Sequence, residues 1–354
     1  MSRPARITID VEALRHNIRV LRGHHGGRVL AVLKANAYGH GALACAQSLA
    51  DADGFAVAFG DEAKALRAAG VHAPLLVLEG VFSVAELRTA SLESWWVVVH
   101  HEEQLAMIER CPLPAAALNV WLKLDSGMHR CGFDPQAFRA AHARLMRSGK
   151  VSSITLMSHF ARADECDSEF THEQIASFDR ATAGLPGPRS LANSAGVLCW
   201  PAARRDWARC GIGLYGAGIR PHGDLRPAMR ATSEIVATRD VAAGESVGYG
   251  GRFVATRSTR VGLVAFGYAD GYPRSAADGT PVAAGAQTAP LIGRVSMDML
   301  TVDLTDLPSA GVGTEVELWG RKVAVDDIAA RAGTIGYEVL CNAKRAPMRY
   351  IGAP

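Results

Sequence analysis

No stretch of the sequence is apolar for long enough to cross a bilayer, and the N-terminal Met1-Ser-Arg-Pro-Ala-Arg lacks the apolar segment that leads a chain out of the cell. A cytoplasmic protein with no membrane partner is expected. Basic residues never run five or six together, so there is no footprint for a phosphate backbone and no nucleic-acid partner is expected. Cysteine is scarce and odd in number. The seven residues (Cys45, Cys111, Cys131, Cys166, Cys199, Cys210, Cys341) are scattered and never spaced as CxxC, which argues against a disulfide framework and a zinc site and predicts reduced thiols. The His24-His25 and His100-His101 pairs do not change this, because adjacent side chains point apart on a helix or a strand; no metal is expected. What is present is ordinary for a globular protein: 354 residues, 49% hydrophobic and 21% charged with a net charge of +3, enough for one large domain and a smaller one.

After an amphipathic helix that opens at Val11, short apolar runs recur at the spacing of a strand plus a crossover helix. They begin near Val29, Phe55, Leu75, Trp95, Leu118, Ile154, Ser190 and Cys210, and helical stretches such as those from Asp61 and Glu102 follow most of them. Eight such units, with strands apolar enough to be covered on both faces, predict an α/β fold: a (β/α)8 TIM-like barrel rather than an open sheet. Near Pro221 and Pro227 the pattern changes to short β-rich runs separated by Gly and Pro turns, with one late helix at Val325. The expected division is a barrel over residues 1–224 and a mostly β C-terminal domain over 225–354.

In such a barrel the functional side chains stand at the C-terminal ends of strands. Lys34 follows Val-Leu-Ala-Val-Leu and opens Lys34-Ala-Asn-Ala-Tyr38-Gly-His-Gly, where glycines let backbone approach a ligand and Tyr38 offers a hydroxyl. A lysine ending a buried strand is costly unless it is paired or used, and its amine is a ready Schiff-base nucleophile; a side chain reaching out to solvent is the alternative. Other strand ends carry Lys123 and Arg130, Ser158 and His159, Asn193 and Ser194, and Arg209 with Gly211 and Ile212. Cations, hydroxyls and glycine-freed amides on one rim suit a ligand that bears a phosphate and a carboxylate.

The segments Ala31-Val-Leu-Lys34-Ala-Asn-Ala-Tyr38-Gly-His-Gly, Lys123-Leu-Asp-Ser-Gly-Met-His-Arg130-Cys-Gly, Val247-Gly-Tyr249-Gly-Gly, Gly267-Tyr268-Ala-Asp-Gly-Tyr and Gly293-Arg-Val-Ser-Met297-Asp298-Met closely resemble those of alanine racemases, in order and over almost the whole chain. The shorter proteobacterial form, often catabolic, is the nearest in length. The resemblance implies pyridoxal 5'-phosphate as cofactor and alanine as substrate. It implies that Lys34 holds the cofactor as a Schiff base and, once released, serves as the base on the D side, while Tyr249 serves the L side. A single base returns its proton to the face it came from, so inversion is best served by two groups flanking Cα. A tyrosine of ordinary pKa about 10 needs a partner to act as a base near neutral pH, and the resemblance supplies His159 and Arg209.

By the same resemblance, Arg209 faces the pyridine nitrogen, from which a permanently charged donor accepts no proton, so the carbanion is poorly delocalised and side reactions are limited. Tyr38, Ser194 and the amides of Gly211 and Ile212 hold the phosphate, with Asn193 nearby. Arg130 binds the substrate carboxylate, and a carbamate on Lys123 orients it by turning a repelling pair into an attracting one. Tyr249, Tyr268, Arg274, Met297 and Asp298 enter the site of the neighbouring subunit, which implies a homodimer with shared sites. Two departures stand out. Ser296 replaces a cysteine of some members, and Lys344 falls where some place a tyrosine against the phosphate.

Gly211-Ile-Gly-Leu-Tyr-Gly216 also matches the GxGxxG of dinucleotide-binding dehydrogenases, but that motif opens a helix, and Gly218, Pro221, Gly223 and Pro227 follow here. A cofactor-binding barrel without turnover would lack the β domain. Decarboxylases that combine the two domains carry cysteine and aspartate motifs that this sequence does not. A biosynthetic or a catabolic role, and activity on serine, are both compatible with these motifs.

Overall fold

The computed structural model describes residues 3–50, 52–218 and 224–352. A first strand, β1 (Arg6–Asp10), precedes a barrel of β2 (Arg28–Val32), β3 (Gly54–Val57), β4 (Leu75–Val77), β5 (Trp95–Val99), β6 (Leu118–Lys123), β7 (Val151–Met157), β8 (Arg189–Asn193) and β9 (Trp207–Cys210). Each barrel strand pairs with the next, and β2 pairs with β9 to close the ring. β2 to β5 are buried at nearly every position, as strands between a helical shell and the barrel filling must be. The expected (β/α)8 barrel is therefore present. One strand is shifted: the eighth ends at Cys210, where the sequence reading starts it. Residues 211–216 are too rich in glycine to hold an extended strand, and Ile212–Tyr215 coils into a 3-10 turn instead.

Three tryptophans fill the barrel toward its N-terminal end. The rings of Trp96, Trp121 and Trp207 lie 5.3–5.9 Å apart, and the Arg28 guanidinium sits 4.1 Å from the Trp207 ring. Each such aromatic pair contributes roughly 0.5–1.5 kcal/mol beyond its buried area. With that end filled by rings, the cavity of the barrel lies at the C-terminal strand ends.

The second unit is built around the long strand β10 (Met229–Val241), which pairs with Thr259–Val264 and Glu315–Trp319, and the late helix spans Val325–Ala332. β1 joins this sheet. It is antiparallel to β10 and parallel to Met348–Ile351, with Ile7 opposite both Ala231 and Met348. The first strand of the chain thus pairs within the sheet of the second unit. Asp10 ends β1 and also caps the helix Val11–His25, its carboxylate accepting from the Ala13 N–H at 3.1 Å, so the chain enters the barrel without a linker. Pro221 and Gly223, read above as boundary and helix-breaking signals, lie outside the described residues.

Within Gly267-Tyr-Ala-Asp270, the carboxylate of Asp270 is fully buried and accepts from Arg3 at 2.7 and 3.0 Å, from Arg345 at 2.9 and 3.1 Å, and from the Gly267 amide at 3.0 Å. A buried carboxylate so fully bonded ties both chain ends to the second unit, and loss of both arginines would strand its charge.

The expectation of reduced thiols needs one correction. Cys166, in the loop after β7, and Cys199, at the end of the helix Ser194–Cys199, form a disulfide with Cα atoms 5.2 Å apart. The two are 33 residues apart in sequence, and only the stacking of consecutive barrel units brings them together. Cys45, Cys111, Cys131, Cys210 and Cys341 are free. No helix among the described residues is long and apolar enough to cross a membrane.

Candidate active site

Lys34 begins an unusual piece of backbone. Ala35, Asn36, Ala37 and Tyr38 all have φ between 51° and 55°, a single left-handed turn that contains no glycine. Left-handed helical geometry costs L-residues on the order of 1–2 kcal/mol each, so it persists only where neighbours over-determine it. Here they do. The Ala35 amide donates to Glu62 Oε1 at 2.7 Å, the Ala37 amide to the Leu33 carbonyl at 2.7 Å, and the Ala42 amide to Asn36 Oδ1 at 2.9 Å. The turn carries Lys34 and Tyr38 into one cavity of about 370 Å³ at the C-terminal mouth of the barrel.

Of the barrel residues named from the sequence, all but Ser158 line this cavity: Lys34 and Tyr38 after β2, Lys123 at the end of β6 and Arg130 in the loop after it, His159 after β7, Asn193 and Ser194 at the end of β8, Arg209 in β9, and Gly211 and Ile212 just past it. Four cations face a single carboxylate, that of Glu79. Burial holds the Lys34 amine below its ordinary 10.5; Glu79 and Glu62 oppose the shift, and Arg130 and Lys123 add to it.

Arg209 is 4% exposed. It donates to the Ser158 carbonyl at 2.6 Å, to the Ser190 carbonyl at 3.1 Å and to Ser190 Oγ at 2.6 Å. Burial pulls it down to about 10, which leaves it protonated at neutral pH. Its Nη2 also lies 3.3 Å from Nδ1 of His159. Burial, and then Arg209 with the other cations of the cavity, hold His159 well below its ordinary 6.5. The ring is therefore neutral. With Nδ1 accepting from arginine, its proton sits on Nε2.

Ser194 Oγ accepts from the amides of Gly211 and Gly213 at 3.0 and 3.1 Å. At Gly211 a Cβ atom would stand 2.5 Å from the Tyr38 hydroxyl, so only glycine allows that hydroxyl to lie against the backbone of residue 211. Asn193 Oδ1 caps the helix Ser194–Cys199 through the Gly196 amide at 2.9 Å. Lys123 is 7% exposed and donates to Cys131 Sγ at 2.9 Å.

The residues named in the second unit stand elsewhere. Tyr249 is 68% exposed on a 3-10 turn, Met297 is 53% exposed, and neither lines the Lys34 cavity of its own chain. Asp298 pairs with Arg345 at 2.7 Å. Tyr268 lines a separate cavity with Arg252, Arg274, Arg294 and Lys344. Lys344 therefore lies away from the barrel pocket.

Among the lining residues that the sequence did not single out, Glu79 and Tyr337 bear a carboxylate and a phenol. Glu79 follows the apolar run of β4, and the strand-end rule that marks Lys34 also marks it. Tyr337, on the helix Gly336–Cys341 of the second unit, reaches the cavity from its far side. No local pattern announces that contact. The GxGxxG match opens no helix: Gly216, with φ of 73°, ends the 3-10 turn, which removes the structural context of a dinucleotide site.

Fold and site together define a two-unit barrel protein whose strand ends hold a half-buried amine among cations, with a β unit set beside them. The chain belongs to the alanine racemase family: residues 9–218 match the alanine racemase N-terminal domain and 228–351 the C-terminal domain. It is 61% identical to the alanine racemase of Azoarcus sp. (strain BH72) over 99% of this chain and all of that one, and 56% identical to the catabolic alanine racemase of Pseudomonas aeruginosa at the same coverage. The crystal structure of the biosynthetic alanine racemase from Pseudomonas aeruginosa superposes with a TM-score of 0.96 at 48% identity, covering 99% of this chain and all of that one. That of the Bartonella henselae alanine racemase with covalently bound pyridoxal phosphate does so at 0.87 and 28% identity, again over 99% and 100%.

Proposed function

We propose that this chain interconverts L-alanine and D-alanine in the cytoplasm, with pyridoxal 5'-phosphate held on Lys34, in a homodimer whose sites each draw residues from both copies. The observation that carries the reading is the Lys34 amine, half-buried and depressed in pKa, facing three further cations across a cavity sized for a small ligand.

The residues fit the cofactor. Lys34 is a nucleophilic amine, the Gly211 backbone leaves room that a Cβ would fill, and the hydroxyls of Tyr38 and Ser194 lie beside it as donors for a phosphate, with Ile212 and Asn193 adjoining. Arg209, protonated and buried, suits an unprotonated ring nitrogen. What the cofactor supplies when bound is electron withdrawal from Cα of an attached amino acid, which acidifies its α-hydrogen. The chain does the rest. Arg130 binds the carboxylate, Lys34 takes or returns the proton on one face, and Tyr249 of a second copy does so on the other. Neutral His159 leaves its Nε2–H for that phenol, and Arg209 behind it biases the network. Lys123, as a carbamate, would attract Arg130 instead of repelling it. The exposure of Tyr249, Tyr268 and Met297 supports a face that a second copy covers, where Met297, Asp298 and Tyr268 would narrow the site to alanine.

Deuterium wash-in at Cα with each alanine enantiomer tests the reaction, and serine alongside tests its range. Holoenzyme that incorporates no deuterium from either alanine would overturn the proposal.

Two further outcomes are expected. Gly211→Ala should weaken cofactor binding about tenfold, because the new Cβ evicts the Tyr38 hydroxyl; equilibrium dialysis reads this directly, and an unchanged affinity would count against the assigned phosphate end. The second concerns pH. Lysine attacks as the free amine, and its folded-state pKa lies below 10.5, so the rate of cofactor capture by cofactor-free protein should rise through a midpoint below 10.5 as pH increases. Glu79→Gln removes an opposing charge and should move that midpoint lower still. A midpoint at or above 10.5 would show that the cavity does not tune the amine.

A further inference from the structure

Two turns of the second unit carry the residues that would narrow the site of a second copy: 267–271 with Tyr268, and 296–299 with Met297 and Asp298. Within one chain they are joined backbone to backbone. The Tyr268 amide donates to the Ser296 carbonyl and the Ala269 amide to the Met297 carbonyl, both at 3.0 Å. The approach is so close that a Cβ on Gly267 would stand 2.3 Å from the Met297 carbonyl oxygen, which leaves glycine as the residue that fits. One side chain from a third segment grips both turns. Arg345, just ahead of the strand Met348–Ile351, donates Nε and Nη2 to the Asp270 carboxylate at 2.9 and 3.1 Å and Nη1 to Asp298 Oδ1 at 2.7 Å. Burial works against ionisation of Asp270, but the bonds from Arg345, Arg3 and the Gly267 amide outweigh it and hold the carboxyl below its ordinary 3.8. A charged, buried anchor is thus tied through one planar fork to the exposed Asp298.

We infer that Arg345 is a positioning residue for the site of the second copy: by holding Asp270 and Asp298 at once, it locks Tyr268, Met297 and Asp298 into one rigid wall against which the substrate is bound. Arg345 does not line the Lys34 cavity of its own chain; it faces a separate hollow with Arg3 and Pro347. Its loss is therefore felt in substrate binding rather than in cofactor binding, and in the partner's site rather than its own. The inference rests on the reading that these two turns enter another copy's site.

The experiment uses a mixed dimer in which one subunit carries Lys34→Ala and the other Tyr249→Phe. Its one working site takes Lys34 from the second subunit and Tyr249, with the rest of that β unit, from the first. Arg345→Met is added to one subunit at a time. On the Lys34→Ala subunit it should raise KM for alanine about tenfold, the scale of a lost charged hydrogen bond, while kcat changes by less than about threefold. On the Tyr249→Phe subunit, whose β unit serves the dead site, it should leave KM within about threefold of the parent hybrid. Pyridoxal phosphate affinity, read by equilibrium dialysis, should hold in both. Arg345→Lys keeps a charge for Asp270 but lacks the fork; it should act as Arg345→Met does, and it takes its place if that variant fails to fold. A KM within about threefold of the parent hybrid in the first placement overturns the inference, as does an equal or larger effect from the second, which would make Arg345 a structural residue of its own chain. A fall in cofactor affinity as large as the rise in KM overturns it too. A parent hybrid without activity would instead overturn the shared-site reading.

Discussion

Lys34→Ala is expected to lower racemisation by about 10⁴-fold or more, in both directions, with little change in thermal stability. The residue has two proposed duties, nucleophile toward the cofactor and proton carrier on one face, and alanine can perform neither. Its removal also relieves the cavity of one of four cations, so the fold should not suffer. Three measurements frame the test: coupled assays from each enantiomer, the melting temperature, and borohydride reduction followed by peptide mapping. Wild type should carry a pyridoxyl label on the peptide containing Lys34, and the variant should carry none there. Retention of activity within tenfold of wild type would remove Lys34 from the chemistry, and with it the assignment of the cavity.

The second large effect is a gain. Lys34→Ala and Tyr249→Phe should each be nearly inactive, the latter by roughly 10²- to 10⁴-fold, yet mixed subunits carrying one of each should recover activity. In a dimer that shares its sites, the hybrid has one site with both substitutions and one with neither. Each doubly tagged dimer therefore has one working site of two, so recovery should approach roughly half of wild type. The expectation follows from where the residues stand: Lys34 lines the barrel cavity, while Tyr249 of the same chain is exposed and absent from it. Co-expression of the two variants under separate tags, with isolation of doubly tagged protein, provides the material. If Tyr249 acted within its own chain, no combination would restore turnover.

The barrel was legible because parallel strands buried on both faces leave a local trace, the short apolar run such as Val29-Leu-Ala-Val or Trp95-Trp-Val-Val-Val, at a spacing that a crossover helix dictates. The cavity was legible for the same reason. Once strands are placed, closure of the ring brings all their C-terminal ends to one mouth, so Lys34, Lys123, His159, Ser194 and Arg209 needed no further information to meet. Glu79 ends the β4 run in the same way, whereas the last strand stops at Cys210 because the glycines after it break an apolar run without changing its hydropathy. The placement of Tyr249, Met297 and Asp298 in another copy's site came from resemblance alone.

Left to itself, the order of residues determined which segments become strands, that they are parallel, and therefore which side chains gather at the open end; all of these follow from periodicity and burial within a few residues of each position. Only the folded chain decided that β1 leaves the barrel for the far sheet, that Cys166 reaches Cys199, that Lys344 turns toward a different cavity, and that Tyr337 closes on Tyr38. Those contacts join positions separated by tens to hundreds of residues. Packing of whole elements sets them, and no short stretch of sequence carries their signal.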